Sequence, residues 1–334
     1  MQRLNQDIKE KNFKPVYLLY GEEAYLIKQY KDRLMAAVSS DGDSMNVHRY
    51  VGKDVETKEI ISLAETLPFL AQYRVILLEN TGWLKKGNEE LLTYLPNLCD
   101  STILILAEQE VDRRVKLFDQ IKKQGRCVEF QKQTDVTLQK WILGILKKEN
   151  KSISQQTLLH FLETVGEDMD RIRSELEKLL MYTYQKESIS IEDVDSVCVR
   201  QVQNQIFDMI QALADRNQQK ALDLYYDLLS LKEKPMKIIA LIGRQFNLML
   251  QIKELQRKGY DKKGMSEKTG LREFLIPKYA ASASRFSGKE LRQALEECVE
   301  LETAVKTGQL KEALSVEILL VKYSKKGQFV QEGE

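Results

Sequence analysis

The stretch VYLLYGEEAYLIKQY, residues 16–30, places a short apolar run, a glycine turn and a helix-like run one after another. Apolar and aromatic residues fill the positions before Gly21, and the residues after Glu23 have the composition of a helix. This order predicts a β-strand followed directly by an α-helix, which is how many nucleotide-binding domains begin. The stretch therefore predicts an α/β domain at the start of the chain.

The remainder of the first third continues the alternation. Runs rich in β-branched and apolar residues predict, with the first, five strands: Val16–Tyr20, Val47–Val51, Val75–Glu79, Thr102–Ala107 and Cys127–Phe130. Helices are predicted between them, at Ala24–Val38, Thr57–Thr66, Glu89–Leu95 and Arg113–Gln124. Such alternation predicts a parallel sheet with helices on both faces.

The strand signal ends near Trp141. Helical spacing over residues 154–184 predicts two helices with a turn at Gly166, and a short helix is predicted at Ile189–Val199. Later helices are predicted at Ile206–Asp215, Gln218–Leu231, Met236–Gly259, Leu291–Thr307 and Leu310–Lys325. The predicted fold class is α/β plus all-α, with an α/β domain over residues 1–140, a small helical domain over 141–205 and a larger helical domain over 206–334.

The bulk composition indicates a helix-rich globular protein. The chain has 334 residues, of which 43% are hydrophobic and 30% charged, and its net charge is +1. No apolar run approaches the ~18 residues that cross a bilayer, and the first residues lack the apolar core of a secretory signal. We therefore expect no membrane contact and a cytoplasmic location.

The cysteines and histidines do not predict a metal site. Cys99, Cys127, Cys198 and Cys298 stand far apart in the sequence, and the chain has two histidines. Zinc sites need tightly spaced pairs of ligands. The sequence predicts buried or half-buried free thiols, with no metal and no cofactor.

The turn at Gly21 lacks the parts of a phosphate loop. A working loop reads G-x-x-x-x-G-K-[ST], whereas this chain continues Gly21-Glu22-Glu23-Ala24 and has its next lysine at Lys28, inside the predicted helix. The two carboxylates suit a helix start and would repel a triphosphate, although an ordinary acidic helix start explains them equally. The third strand, VILLEN, keeps one carboxylate, Glu79, where magnesium-binding strands carry an acidic pair.

No other catalytic pattern replaces the missing site. Residues 259–266 have the glycine spacing of a phosphate loop, but Met265 stands at the lysine position and no strand precedes the segment. That segment is predicted to be a polar connector. Because no GxSxG, HExxH or CxxC pattern occurs either, we nominate no catalytic residue.

Several segments together resemble the delta subunit of the bacterial DNA polymerase III clamp loader, over essentially the full chain. They are VYLLYGEEAYLI, ETLPFLAQYRVILLEN (65–80), GEDMDRIRSELEKLLMY (166–182), NQIFDMIQALADRNQQKALDLYYDLL (204–229), IIALIGRQFNLMLQIKEL (238–255) and AVKTGQLKEALSVEILLVKY (304–323). The resemblance rests on their order and spacing, since none alone is as specific as a phosphate loop.

The resemblance implies an AAA+-like domain with a degenerate nucleotide site, a small helical lid domain and a helical collar domain for oligomerisation. It implies a subunit without intrinsic ATPase activity, part of the DNA polymerase III holoenzyme, that binds the sliding clamp and opens its ring for loading onto primed DNA during replication. The implied partners are the clamp (the beta subunit), the gamma/tau ATPase subunits, delta-prime and primed DNA. The implied location is a replisome in the bacterial cytoplasm, associated with the nucleoid.

Leu67, Pro68, Phe69 and Leu70 form the predicted clamp-binding segment. Pro68 disfavours helix at the residue before it, so Phe69 and Leu70 follow on a turn before the third strand. The same side chains could instead pack under the domain's own sheet. The resemblance favours clamp binding, because the family's apolar clamp-binding pair corresponds to Phe69 and Leu70.

A basic stretch is a candidate DNA-contacting surface. Residues 244–292 contain 12 Lys and Arg against 5 Asp and Glu, so the remainder of the chain is net acidic. Such asymmetry can mark a surface that contacts phosphates, and Lys262, Lys263 and Lys268 are the candidates. Solvated helix faces and contacts with neighbouring subunits are the alternative.

Three functions are therefore compared. The first is a non-catalytic assembly factor that opens the clamp. The second is a stand-alone nucleic-acid-binding adaptor that uses the basic stretch, whose binding would fall steeply with salt and need no clamp. The third is a divergent AAA+ ATPase, against which the missing lysine argues.

Overall fold

The computed structural model describes residues 1–39, 43, 45–199 and 202–324. The chain forms two compact units, residues 1–134 and residues 135–334, and each is treated by itself. None of the helices in the described residues is both long and apolar enough to cross a membrane.

Unit 1 is built around one sheet. Its elements are α1 Gln2–Glu10, β1 Val16–Tyr20, α2 Ala24–Val38, β2 Val47–Val51, α3 Thr57–Ala64, β3 Arg74–Glu79, α4 Trp83–Lys86, α5 Glu89–Tyr94, β4 Thr102–Glu108, α6 Lys116–Gln124 and β5 Arg126–Glu129. The five strands are parallel and lie in the order β2-β3-β4-β1-β5. The predicted fold class is confirmed for this unit.

Strand β1 is covered by helices on both faces of the sheet. All of its residues are buried, as expected for a strand covered on two sides. Val16 and Leu18 join one apolar cluster with residues of α3, α5 and α6. Tyr17 points to the opposite face, where its hydroxyl donates to Asp7 of α1 at 3.2 Å. The opening stretch therefore supplies the centre of the core.

Several boundaries differ from the prediction for local reasons. Helix α3 ends at Ala64, two residues earlier than predicted, and the Ala64 carbonyl accepts from the Thr102 hydroxyl at 2.8 Å. Helix α6 begins at Lys116 rather than Arg113, because the preceding residue, Val115, has an extended backbone with φ of −70° and ψ of 129°. Helix α1 was not predicted, since it buries only Leu4 and Asp7 and its apolar signal is weak.

Within residues 135–199 and 202–324, unit 2 is helical except for one two-stranded parallel ladder. Its elements are α7 Asp135–Lys148, β6 Ser152–Ile153, α8 Gln155–Val165, α9 Met169–Tyr182, β7 Ser188–Ile189, α10 Ile191–Val197, α11 Val202–Ala214, α12 Gln218–Ser230, α13 Pro235–Arg257, α14 Lys262–Thr269, α15 Ile276–Ser284, α16 Gly288–Lys306 and α17 Glu312–Ser324. One apolar cluster contains residues of every helix from α11 through α17. Within it, the ring of Phe246 of α13 contacts the rings of Phe286 and Tyr323.

The predicted division of residues 141–334 into a small helical domain, 141–205, and a larger one, 206–334, remains a prediction. Helix α7 spans the predicted boundary between residues 140 and 141. The segment predicted as a polar connector is half helical, because the Asp261 side chain accepts from the Gly264 N–H at 2.9 Å and caps α14. The predicted end of the last helix, Lys325, lies outside the described residues.

Candidate functional site

The predicted clamp-binding residues lie on the connection between α3 and β3, residues 65–73, which we call the apolar loop. Leu67 is 79% exposed, Phe69 57% and Leu70 93%, while Pro68 is half-buried. The structure therefore places these side chains outside the domain's own core. A cluster of large exposed apolar side chains on one short loop is typical of a surface that binds a partner.

The backbone of the apolar loop is held by a side chain from another part of unit 1. Asn46, just before β2, is 2% exposed. Its Oδ1 accepts from the Phe69 N–H at 2.6 Å, and its Nδ2 donates to the Phe69 carbonyl at 2.9 Å. Both polar backbone groups of Phe69 are thereby satisfied, and its ring is left to face outward.

Asn46 is itself fixed in place. Its carbonyl accepts from the Val75 N–H at 2.8 Å, which extends the pairing of β2 with β3. The Asp43 carboxylate accepts from both the backbone and the side-chain nitrogen of Asn46. Hydrogen bonds from the Asn46 side chain lower the pKa of Asp43 below its ordinary value, so this acceptor is ionised at neutral pH.

Arg74, the first residue of β3, holds the beginning of the same loop. It is 7% exposed, and its Nε and Nη2 donate to the carbonyls of Thr66 at 3.1 Å and Leu67 at 2.8 Å. Its Nη1 lies 2.8 Å from Nε2 of His48. Because a guanidinium can only donate, the imidazole accepts at that nitrogen.

Leu70 has a left-handed backbone conformation, with φ of 51°. A bulky residue rarely adopts this region, and it costs of order 1–3 kcal/mol when the surroundings enforce it. The hydrogen bonds to the adjacent Phe69 provide that enforcement here. The strained backbone projects a leucine into solvent, which is the kind of strain that binding sites retain.

Asn46 and Arg74 were not predicted as functional residues. From its place in the sequence, Arg74 could be expected only at the rim of the predicted segment, and Asn46 carries no signal there. The separation of 23 residues between Asn46 and Phe69 left no local pattern in the sequence. Tyr73 does lie at the edge of the loop, where its ring meets Phe13 edge-on at 6.1 Å.

The turn where a phosphate loop would lie is closed by the sheet itself. Gly21 begins the turn, and helix α2 starts three residues later, at Ala24. The Gly21 N–H donates to the Glu108 carbonyl at 3.3 Å, and the Glu23 N–H donates to the Phe130 carbonyl at 3.0 Å. Backbone N–H groups that would cradle phosphates are therefore used within the protein.

Carboxylates at the ends of three strands are also occupied. Glu79 of β3 pairs with Lys31 at 2.6 Å. Glu108 of β4 accepts from the backbone and hydroxyl of Thr81, at 2.9 and 2.6 Å. Glu129 of β5 pairs with Arg113. Each carboxylate thus stabilises the edge of the sheet, and within the described residues no cluster of potential ligands could hold a metal ion.

The four cysteines are free thiols, two of them buried and two half-buried. Burial raises the pKa of Cys127 to about 11 and the pKa values of Cys198 and Cys298 to about 12. These three thiols are therefore protonated at neutral pH and are poor nucleophiles.

The basic stretch divides into paired and unpaired cations. Arg272 pairs with Asp135 at 2.8 Å, Arg292 pairs with Glu254 at 3.1 Å, and Lys278 and Arg285 form ion pairs with acidic residues of α8 and of the α11–α12 turn. These side chains serve the packing of unit 2.

The three predicted DNA-contacting lysines belong to the unpaired group. Lys262, Lys263 and Lys268 are exposed on α14 and make no ion pair with any residue that the structure describes. Arg257 and Lys258, at the end of α13, are exposed and unpaired in the same sense. Free surface cations of this kind can contact phosphates.

Comparisons with known proteins point to a single family. The family described as "DNA polymerase III, delta subunit" matches residues 17–131, and "DNA polymerase III delta subunit, C-terminal domain" matches residues 203–323.

Relatives and a solved structure bear the same description. The DNA polymerase III subunit delta of Bacillus subtilis is 28% identical over 97% of this chain and 96% of its own length. The probable DNA polymerase III subunit delta of Aquifex aeolicus is 21% identical over 84% of this chain and 83% of its own. The solved Bacillus subtilis DNA clamp loader delta protein is 27% identical, covers 97% of this chain and 99% of its own, and has a TM-score of 0.67.

Proposed function

Because this chain belongs to the DNA polymerase III delta subunit family, we propose that it is the clamp-loader subunit that binds the sliding clamp and opens its ring. The observation that carries the proposal is the apolar loop, which exposes Leu67, Phe69 and Leu70 on a backbone held by Asn46 and Arg74. Pro68 completes the proposed binding segment by restricting the turn.

Binding of the apolar loop would be driven by burial of its side chains. Transfer of a fully exposed Phe or Leu side chain into a partner's pocket contributes roughly 1.5–3 kcal/mol. Leu70 is 93% exposed and Phe69 57%, so most of that gain is still unrealised in the free chain. Two such residues have the energy of an interface hot spot.

Ring opening requires more than tight binding. A protein shifts an equilibrium only by its preference for one state over the other. We propose that the chain binds the clamp edge of an open or relaxed ring more tightly than that of a closed ring. This mechanism uses binding energy alone and needs no nucleotide. It suits a chain in which the N–H groups of Gly21 and Glu23, at the turn of a phosphate loop, already donate to the carbonyls of Glu108 and Phe130.

The remaining proposals concern the assembly. The chain would act without ATPase activity of its own, beside gamma/tau ATPase subunits and delta-prime, within the DNA-directed DNA polymerase holoenzyme. Residues 206–334 would form the oligomerising collar and residues 141–205 the lid domain. The location would be a cytoplasmic replisome associated with the nucleoid.

The proposed function is tested with the purified chain and the sliding clamp of the same organism. We expect tight binding by surface plasmon resonance in the absence of nucleotide. We also expect the chain alone, without ATP, to release clamps already closed around circular DNA. A chain that binds ATP and releases clamps only on hydrolysis would instead support the divergent ATPase, and a folded chain that does not bind the clamp would exclude the proposal.

We further propose that Lys262, Lys263 and Lys268 contact DNA phosphates in the assembled loader. Replacing all three by glutamine should weaken binding to primed DNA. It should also reduce the slope of log K against log salt by roughly 2–3, since each lost phosphate contact removes about 0.9. The measurement is fluorescence anisotropy of labelled primed DNA at several salt concentrations.

The control for this variant removes the same charge elsewhere. Lys140, Lys147 and Lys148 of α7 are likewise exposed and have no ion pair within the described residues. Their replacement by glutamine should leave the slope nearly unchanged. Equal slopes for both triple variants would show that α14 contributes general charge and not phosphate contacts. DNA binding by the chain alone, with no need for a clamp, would favour the stand-alone adaptor.

A further inference from the structure

The apolar loop is shaped by two buried polar side chains that do not themselves face solvent. Asn46 satisfies the N–H and the carbonyl of Phe69, and Arg74 satisfies the carbonyls of Thr66 and Leu67. These four hydrogen bonds cover the stretch that carries the exposed side chains, and they all run to the backbone. The side chains of Leu67 and Leu70 remain largely exposed, at 79% and 93%.

Both anchoring side chains are attached to the rigid part of unit 1. Asn46 is joined to β3 through the Val75 N–H and to Asp43 through its own nitrogens. Arg74 begins β3, and its backbone N–H donates to the Ser101 carbonyl at 2.7 Å. The sheet therefore fixes the position of the apolar loop through Asn46 and Arg74.

We infer that Asn46 and Arg74 are positioning residues, which hold the apolar loop in its binding conformation before the clamp arrives. The inference rests on the proposed function, since it assigns these residues to the same clamp-binding surface. A loop ordered in advance loses less conformational entropy on binding than a flexible one. When only a fraction of molecules has the competent conformation, the apparent affinity falls by that fraction.

Substitutions at contacting residues and at positioning residues should change different rate constants of clamp binding. Phe69 and Leu70 would contact the clamp, so their loss should mainly increase the dissociation rate. Asn46 and Arg74 would set the fraction of competent loops, so their loss should mainly decrease the association rate. A merely structural role would lower stability and leave both rates of the folded protein unchanged.

The test uses the full chain with two variants and one control. Asn46→Ala removes both hydrogen bonds to Phe69. Arg74→Gln keeps one amide donor and supplies a second test if Asn46→Ala fails to fold. The control is Thr81→Ala, because Thr81 is 3% exposed and donates to Glu108 at the opposite end of β3.

Hydrogen exchange of the free chain and clamp-binding kinetics are measured on each protein. We expect the Phe69 N–H to be protected in the wild type and unprotected in Asn46→Ala. We expect the association rate of Asn46→Ala with the clamp to fall about tenfold to a hundredfold, the range set by leaving one or two partly buried backbone groups unsatisfied. The association rate of Arg74→Gln should fall less than that of Asn46→Ala. Thr81→Ala should bind the clamp as the wild type does.

The outcomes also distinguish this inference from the proposed function. An unprotected Phe69 N–H in the wild type, or a wild-type association rate in folded Asn46→Ala and Arg74→Gln, would overturn the positioning role while clamp binding stands. A wild type with a protected loop that does not bind the clamp would overturn the proposed function, and the positioning role with it.

Discussion

Replacing Phe69 and Leu70 together by alanine should weaken clamp binding by about a hundredfold to a thousandfold, with little change in the free energy of unfolding. The two side chains are 57% and 93% exposed, so the folded chain loses few internal contacts when they are truncated. Burial of each in the clamp contributes roughly 1.5–3 kcal/mol, and about 1.4 kcal/mol corresponds to a tenfold change in affinity. Surface plasmon resonance against immobilised clamp measures the affinity, and urea unfolding measures the stability.

A matched control removes similar exposed apolar surface from unit 2. Met181, in the last turn of α9, is 79% exposed, and Tyr184, on the turn that follows, is 83% exposed. Replacing both by alanine should leave clamp affinity unchanged. If the Phe69 and Leu70 variant binds as tightly as the wild type, the clamp-binding surface lies elsewhere on the chain, and the function can still stand. If both double variants lose affinity, the effect is not specific to the apolar loop.

Replacing Gly21 by alanine should lower the free energy of unfolding of unit 1 by about 3 kcal/mol. Gly21 has φ of 130°, a conformation that other residues rarely adopt. A Cβ atom at this position would lie 2.4 Å from the Phe130 carbonyl oxygen, which is backbone and cannot rotate away. The added methyl group must therefore separate the β1–α2 turn from the residue that follows β5.

The unfolding of unit 1 can be followed separately. The chain has two tryptophans, and Trp83 is 8% exposed in the core of unit 1. In a Trp141→Phe background, fluorescence during urea unfolding reports on this unit. A stability loss below about 1 kcal/mol would mean that the turn adjusts easily and that the contact with Phe130 is not a strict constraint.

Gly144→Ala is the control for this substitution, and the opposite sign is expected. Gly144 lies inside α7, has no positive φ, and its Cβ position meets nothing within 4 Å. Alanine there should stabilise the helix by about 0.5–1 kcal/mol, because glycine has more conformational freedom to lose. Thermal unfolding followed by Trp141, with Trp83 replaced by phenylalanine, measures the change. Destabilisation at Gly144 would indicate a packing constraint that the open space around this position does not suggest.

The closed turn after β1 and the apolar loop both depend on the sheet of unit 1. The contact of Gly21 with Phe130 closes the turn where a nucleotide would bind, and the pairing of Asn46 with Val75 places the anchors of the apolar loop. The sheet thus supports the proposed protein-binding surface. We expect the function of this chain to reside in its exposed side chains.

The sequence alone determined the elements that depend on local pattern. Strands β1 and β2 and helix α2 have their predicted bounds, because continuous apolar runs and helical spacing are properties of neighbouring residues. The parallel class of the sheet followed from the alternation of strands and helices. The exposed residues of the apolar loop could also be nominated from sequence, with the help of a family resemblance.

How those residues are held, and why the nucleotide turn is closed, depends on contacts that form only when distant segments pair in the folded sheet. Asn46 reaches Phe69 because β2 pairs with β3 in the register that joins Val47 to Val75. Gly21 meets Phe130 because β5 pairs with β1. Both contacts join residues that are distant in the chain, and neither leaves a periodic signal. These contacts depend on the register of the paired strands. That register is fixed by hydrogen bonds between segments that are distant in the chain, so it exists only in the folded sheet.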